Sequence, residues 1–177
     1  IVKDILSVGT EAQKAIVKRL TNDISLNPNV RFVSSEEMRD ITNGKDHIAF
    51  YDSTNDVILI NKDKSVIYNQ KLFSEIFMHE LIHAASYKRL QKMLQLEKKG
   101  LLSEADKKAL DELRKAFEEA KNKVGDAYAF ENLHEFVAET LSNSKFQNAL
   151  KKENLFSKVV NFIKRMFGVK PKSILDN

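Results

Sequence analysis

Two histidines and a glutamate near the middle of the chain have the types and spacing that metal-assisted hydrolysis requires. His79 and His83 are four residues apart, so on a helix they lie one turn apart on the same face and can bind one metal ion. Glu80 lies beside this pair, where it can take a proton from a water molecule activated by the metal. Apolar residues recur at helical spacing through residues 72–87, without Gly or Pro, which predicts a helix there.

A third ligand decides whether this pattern is a metal site or a chance occurrence on a core helix. Catalytic zinc takes three protein ligands and keeps a fourth position for water. One known arrangement places a histidine six residues after the second motif histidine, but Arg89 stands there. A second uses an Asp in a downstream segment that contains Gly and Thr, and the chain has no such segment. A third uses a Glu on a second helix, and residues 131–141 offer such a helix.

The first motif and the segment His134–Glu139 together resemble the gluzincins, the thermolysin-like metallopeptidases, whose second motif is Asn-Glu-x-x-small-Asp. This resemblance implies that Glu135 is the third zinc ligand and that Glu139 holds a ligand histidine by hydrogen bonding. Residues four apart share a helix face, which agrees with both roles. The chain departs from the family at two positions: His134 replaces the family's Asn, and Glu139 replaces its Asp. His134 is also a candidate, weaker than Tyr128, for the hydrogen-bond donor to the oxyanion that forms during peptide hydrolysis.

The resemblance extends upstream to a predicted β-hairpin formed by residues 47–51 and 57–60. In thermolysin-like enzymes the first strand of this hairpin is the sheet edge along which an extended peptide substrate pairs. The resemblance therefore implies that Ile48, Ala49 and Phe50 bind substrate through their backbone. An ordinary hairpin without a substrate role is the alternative.

The reaction implied by the resemblance is zinc-dependent hydrolysis of peptide bonds, with Zn²⁺ as cofactor and a peptide or protein as substrate. A metal-activated water attacks the carbonyl, and Glu80 is the general base. The family uses a tyrosine beside the metal to stabilise the oxyanion, and Tyr128, seven residues before Glu135, is the candidate. The alternative for Tyr128 is a half-buried aromatic at a helix boundary. The arrangement is also similar to the small gluzincin domains of large phage-encoded polyvalent proteins.

These motifs predict an α+β fold: a mostly helical zincin-like domain with a small N-terminal mixed sheet or hairpin, an active-site helix and a second, glutamate-bearing helix. We expect residues 1–150 to form this domain and residues 151–177 to form a basic amphipathic helix and tail. The active-site helix should continue to Gly100, and a second helix capped by Ser103 should follow, so that residues 88–124 form an inserted helical hairpin.

Composition limits the chemistry and the partners. The chain of 177 residues contains no Cys, so a metal site must use His and carboxylate ligands. The net charge is +4, and basic residues are concentrated from Lys145 to the end of the chain. The apolar stripe of the helix in this segment predicts that it docks on protein. Nucleic acid is not predicted as a partner. No apolar run is long enough to span a bilayer. Because the chain begins with Ile1 rather than Met, we expect it to be part of a longer polypeptide. Separately, we expect a soluble protein, in the cytoplasm or associated with a phage.

Two other functions are compatible with these motifs. A catalytically silent zincin-fold module could serve for docking within a larger protein, although such a module has no use for Glu80. A zinc amidase that acts on a non-protein substrate, such as peptidoglycan, would use the same motif chemistry. Zinc content and cleavage of a denatured protein distinguish the first alternative, and substrate profiling distinguishes the second.

Overall fold

Residues 14, 18, 28–125 and 128–166 are described by the computed structural model. In this part of the chain a three-stranded mixed sheet precedes a series of helices, so the predicted α+β, mostly helical fold class is confirmed. The chain divides into two units, residues 1–85 and 86–177, and the boundary falls within one long helix. The end of the predicted basic tail, residues 167–177, lies outside the described residues.

The sheet of the first unit contains β1 (Asn29–Val33), β2 (Ala49–Asp52) and β3 (Val57–Asn61), in the order β1-β3-β2. β3 runs parallel to β1 and antiparallel to β2. The continuous apolar run of β3 is buried, as expected for a central strand covered on both faces. β2 therefore lies at an edge of the sheet, in agreement with the prediction for the first strand of the hairpin.

A short helix, α1 (Ser35–Ile41), closes one face of this sheet. The side chain of Ser34 accepts a hydrogen bond of 3.1 Å from the backbone N–H of Glu37, which caps the helix. Met38 is fully buried and packs with Val33 and Leu59, and these three residues form a small apolar core.

The connection from α1 to β2 is fixed by a buried amide at the end of β3. The side chain of Asn61 donates hydrogen bonds to the carboxylate of Asp46, at 3.0 Å, and to the carbonyl of His47, at 3.2 Å. Because Asn61 is fully buried, these partners satisfy polar groups that would be costly to leave unpaired. The start of the edge strand is thereby held against the centre of the sheet.

The helix that carries the first motif is α2 (Gln70–Lys98), which follows a 3₁₀ turn at Ser65–Tyr68. Its 29 residues extend about 44 Å. The helix ends where predicted: Gly100 has a φ of 66°, and the N–H of Leu101 donates to the carbonyl of Leu96 at 2.8 Å. This is a Schellman arrangement, in which Gly adopts a left-handed conformation that a side chain would disfavour.

The second unit adds four helices to the C-terminal part of α2: α3 (Glu104–Lys123), α4 (Leu133–Ser142), α5 (Ser144–Lys152) and α6 (Phe156–Met166). Ser103 caps α3, as predicted. α3 packs against α4 and α6, and α5 and α6 each pack against α4. The second glutamate-bearing helix is thus surrounded by other helices of its unit.

Four phenylalanines form the centre of the second unit: Phe117, Phe130, Phe136 and Phe146. Phe136 of α4 is fully buried, and its ring centroid lies 5.3 Å from that of Phe117 and 6.0 Å from that of Phe146, in edge-to-face contacts. Such pairs contribute about 0.5–1.5 kcal/mol beyond the burial of their area. This packing anchors α4 at the residue that follows Glu135.

The positive charge of α6 is partly balanced within the second unit. Lys158 pairs with Glu119 at 3.2 Å, and Arg165 pairs with Asp106 at 3.0 Å, so two basic residues of α6 face acidic residues of α3. Exposed pairs of this kind contribute little stability, but they weaken the local positive potential. No helix in the described ranges is both long and apolar enough to cross a bilayer.

Candidate metal centre

The two motif histidines lie side by side on α2. Both are buried, each with 7% of its surface exposed. Their Nε2 atoms are 2.9 Å apart and their ring centroids 4.6 Å apart. This geometry follows from the four-residue spacing on a helix whose neighbouring apolar residues, Met78, Leu81 and Ile82, are fully buried. The two imidazoles therefore direct one nitrogen each towards the same region.

The carboxylate of Glu80 is held by the edge strand of the sheet. The backbone N–H of Tyr51 in β2 donates a hydrogen bond of 2.7 Å to Oε2 of Glu80. Both residues are buried, and a hydrogen bond to a carboxylate is stronger than one between neutral groups. Glu80 is therefore oriented by the backbone of β2.

The register of the hairpin determines which backbone groups of β2 face its free edge. The carbonyl of Ile48 accepts a hydrogen bond of 2.9 Å from the N–H of Asn61, so these two residues form a hydrogen-bonded pair. Since such pairs alternate along antiparallel strands, Phe50 also directs its backbone groups towards β3. The groups of Ala49 and Tyr51 point away from β3. Among the three residues predicted to bind substrate, the register gives this outward orientation only to Ala49.

Glu135 lies in the first turn of α4, where a polar cap fixes its backbone. The side-chain oxygen of Asn132 accepts hydrogen bonds from the N–H groups of His134, at 2.9 Å, and Glu135, at 3.0 Å. A carboxylate in the first turn of a helix is also favoured by the helix dipole. The sequence predicts that this helix starts at residue 131, and the cap at Asn132 sets its start two residues later, at Leu133.

One ligand atom each from His79, His83 and Glu135 lies within 4.8 Å of the other two. A zinc ion with bonds of about 2.0–2.1 Å and tetrahedral angles requires donor atoms roughly 3.3 Å apart. The histidine nitrogens, at 2.9 Å, are close to this value. Two imidazoles and a carboxylate also form a donor set that suits zinc in hydrolytic sites, so these residues fit the ion.

His134, which stands where the gluzincins have Asn, packs against α2. Its ring stacks on that of Tyr87, with centroids 4.4 Å apart and an interplanar angle of 26°. The side-chain amide of Gln91 donates to Nε2 of His134 at 3.1 Å. His134 is buried, so its side chain forms part of the contact between these helices. The helical periodicity of α2 gave no sign that Tyr87 and Gln91 would meet this residue.

Glu139 is buried on α4 and is oriented by a residue that sequence reasoning missed. The side-chain amide of Asn143 donates a hydrogen bond of 2.8 Å to Oε2 of Glu139. The side-chain oxygen of Asn143 also accepts from the N–H groups of Lys145 and Phe146, and so caps α5. The role of Glu139 beside a ligand histidine stays a prediction. A sequence signal for Asn143 was its polar type directly after an apolar helix, which is typical of a cap.

Tyr128 lies in the turn before α4, with 48% of its surface exposed. Its carbonyl accepts a hydrogen bond of 3.1 Å from the N–H of Glu131. The predicted role of Tyr128 as a donor to the oxyanion stays a prediction.

Comparisons of the chain with known protein families, with curated proteins and with solved structures gave no match.

Proposed function

We propose that this chain is a zinc-dependent metallopeptidase of gluzincin type. The observation that carries the proposal is the grouping of His79, His83 and Glu135 within 4.8 Å, with Glu80 next to the first of them. A chance His-Glu-x-x-His pattern on a core helix has no reason to bring a distant carboxylate to both imidazoles. The same donor set would be superfluous in a module used only for docking.

The residues of the chain have distinct roles in this reaction. His79, His83 and Glu135 would hold a zinc ion, which supplies a Lewis acid for the scissile carbonyl and promotes deprotonation of water near neutral pH. Glu80 accepts the proton of the attacking water and delivers it to the leaving amine. The hydrogen bond from Tyr51 holds Oε2 of Glu80 and so orients the other carboxylate oxygen.

The peptide substrate pairs with the free edge of β2. An extended chain that adds to this edge forms backbone hydrogen bonds with Ala49, whose polar groups point outward, and with the carbonyl of Tyr51. Because Tyr51 also contacts Glu80, a substrate bound along β2 lies beside the general base. Tyr128 is the proposed donor to the negative charge that develops on the carbonyl oxygen.

Variants of three carboxylates test this proposal. We expect the purified chain to bind one zinc ion and to cleave a denatured protein. Glu80→Gln should retain zinc and lose activity by about a hundredfold or more, because a general base contributes 10²–10⁴-fold. Glu135→Ala should lose tightly bound zinc, whereas Glu131→Ala, which removes an exposed carboxylate nearby, serves as the matched control and should bind normally.

The possible results separate the proposal from its alternatives. Zinc binding without cleavage of any peptide would indicate the silent module or an amidase, and a library of non-protein amides distinguishes these two. Normal peptide hydrolysis by Glu80→Gln would remove Glu80 from the mechanism. Undiminished zinc affinity in Glu135→Ala would show that the third ligand is another residue.

A further inference from the structure

Four residues at four-residue intervals lie along one side of α2, from the histidine pair to the contact with α4. These are His79, His83, Tyr87 and Gln91, which form one row of side chains along the helix surface. Rows of this spacing are the ridges through which helices pack. The first two residues present imidazoles, and the last two contact His134, the neighbour of Glu135 in the chain.

The contact with His134 combines an aromatic stack and a hydrogen bond. The rings of Tyr87 and His134 are 4.4 Å apart and nearly parallel, and the amide of Gln91 lies 3.1 Å from Nε2 of His134. The stack on Tyr87 restrains the position of the His134 ring on one of its faces. The hydrogen bond from Gln91 restrains the rotation of that ring within its own plane. The side chain of His134 is thus held in position and in orientation.

Glu135 needs such support because of its place in α4. It lies in the first turn of a helix of ten residues, and first turns lack intrahelical partners for their N–H groups and tend to fray. Asn132 satisfies the N–H groups of His134 and Glu135, which fixes the backbone of this turn. Tyr87 and Gln91 add a contact with the side chain of His134, the residue before Glu135 in the chain.

We propose that Tyr87, Gln91 and His134 are positioning residues for the third ligand: they fix the first turn of α4 so that Glu135 is preorganised for metal binding. This inference rests on the proposed function, because it assumes that Glu135 binds the ion. Groups that orient metal ligands typically change metal affinity by about 10–100-fold when they are removed.

The test compares zinc dissociation constants, measured by competition with a chelator on the full chain. Tyr87→Ala removes the stacked ring, and we expect it to weaken zinc binding by about 10–100-fold. Tyr87→Phe keeps the ring and is the matched control, with an affinity within about threefold of wild type. Unchanged affinity in Tyr87→Ala, or equal losses in the two variants, would overturn the proposal.

A double-mutant cycle separates positioning from a general loss of structure. If Tyr87 acts through Glu135, then Tyr87→Ala should have almost no further effect on zinc affinity in the Glu135→Ala background. If Tyr87 only supports the fold, the two losses should add, which would contradict the proposal. The absorption spectrum of bound Co²⁺ provides a second measurement: Tyr87→Ala should approach the spectrum of Glu135→Ala.

A milder variant keeps the test decisive if Tyr87→Ala does not fold. Gln91→Met removes only the hydrogen bond to His134 from a partly exposed position, and we expect zinc affinity to fall by about threefold to tenfold. In that case, unchanged affinity in Gln91→Met would overturn the proposal. If instead the wild-type chain binds no zinc, or Glu135→Ala binds as tightly as wild type, the proposed function itself fails and the positioning role fails with it.

Discussion

Removing the backbone N–H of Tyr51 tests whether the edge strand orients Glu80, the proposed general base. Replacement of Tyr51 by its α-hydroxy analogue converts this N–H into an ester oxygen and leaves the side chain intact. The lost hydrogen bond is 2.7 Å long, and Tyr51 and Glu80 are only 5% and 8% exposed, so water does not readily replace it. A hydrogen bond to a charged group contributes about 1.5–3 kcal/mol. Since 1.36 kcal/mol corresponds to a tenfold change in rate, we expect kcat/KM to fall by about 10- to 150-fold.

The assay combines peptide hydrolysis, zinc affinity and urea unfolding. We expect the ester at Tyr51 to lower kcat/KM and to lower the free energy of unfolding by about 1.5–3 kcal/mol, without a loss of zinc affinity. The matched control is the α-hydroxy analogue at Phe50, whose N–H the register directs towards β3. This control should lose about 0.5–1.5 kcal/mol of stability and keep its activity. Wild-type activity and stability in the Tyr51 ester would refute the reasoning.

Two further predictions concern the second unit. Arg114 donates two hydrogen bonds of 2.6 Å to the carboxylate of Glu97, which holds the pKa of Glu97 below its ordinary value of 4.5. The pair therefore stabilises the fold above about pH 4.5 and loses this contribution as the pH falls further, so Arg114→Gln should lower the free energy of unfolding at pH 7 more than at pH 3. Equal decreases in the free energy of unfolding of Arg114→Gln at pH 7 and at pH 3 would contradict this prediction. Asn143→Asp keeps an acceptor for the cap of α5 but puts a carboxylate beside Glu139, and we expect it to cost about 1–3 kcal/mol in urea unfolding at pH 7. If Asn143→Asp is as stable as wild type, the hydrogen bond from Asn143 to Glu139 does not contribute to the free energy of unfolding.

Features that depend on neighbouring residues could be predicted from the sequence. Gly100 ends α2 and Ser103 caps α3, because a left-handed glycine and a short polar side chain satisfy helix ends locally. The continuous apolar run of β3 is typical of a buried central strand, and the mixed composition of β2 is typical of an edge strand. His79 and His83 are four residues apart, so a helix in this segment is enough to predict that their side chains lie close together.

Contacts between distant segments could not be predicted, because they depend on register and packing. The outward N–H of Tyr51 follows from the alternation of the hairpin, but a slip of one residue would direct the N–H of Phe50 outward instead. The sequence offered no way to choose between these registers. The stack of His134 on Tyr87 similarly depends on how α4 packs against α2, a distance of 47 residues along the chain.

The contacts described for the two carboxylates central to the proposal support the roles proposed for them. Glu80 receives a hydrogen bond on the carboxylate itself, from a neutral backbone donor. A neutral donor orients the oxygen atoms without the full opposing charge of an ion pair, which suits a group that must accept and release a proton. The contacts described for Glu135 fix its backbone, through Asn132, and its neighbour His134, through Tyr87. Restraint of the backbone limits the positions that the carboxylate of Glu135 can take, which suits its proposed role as a metal ligand.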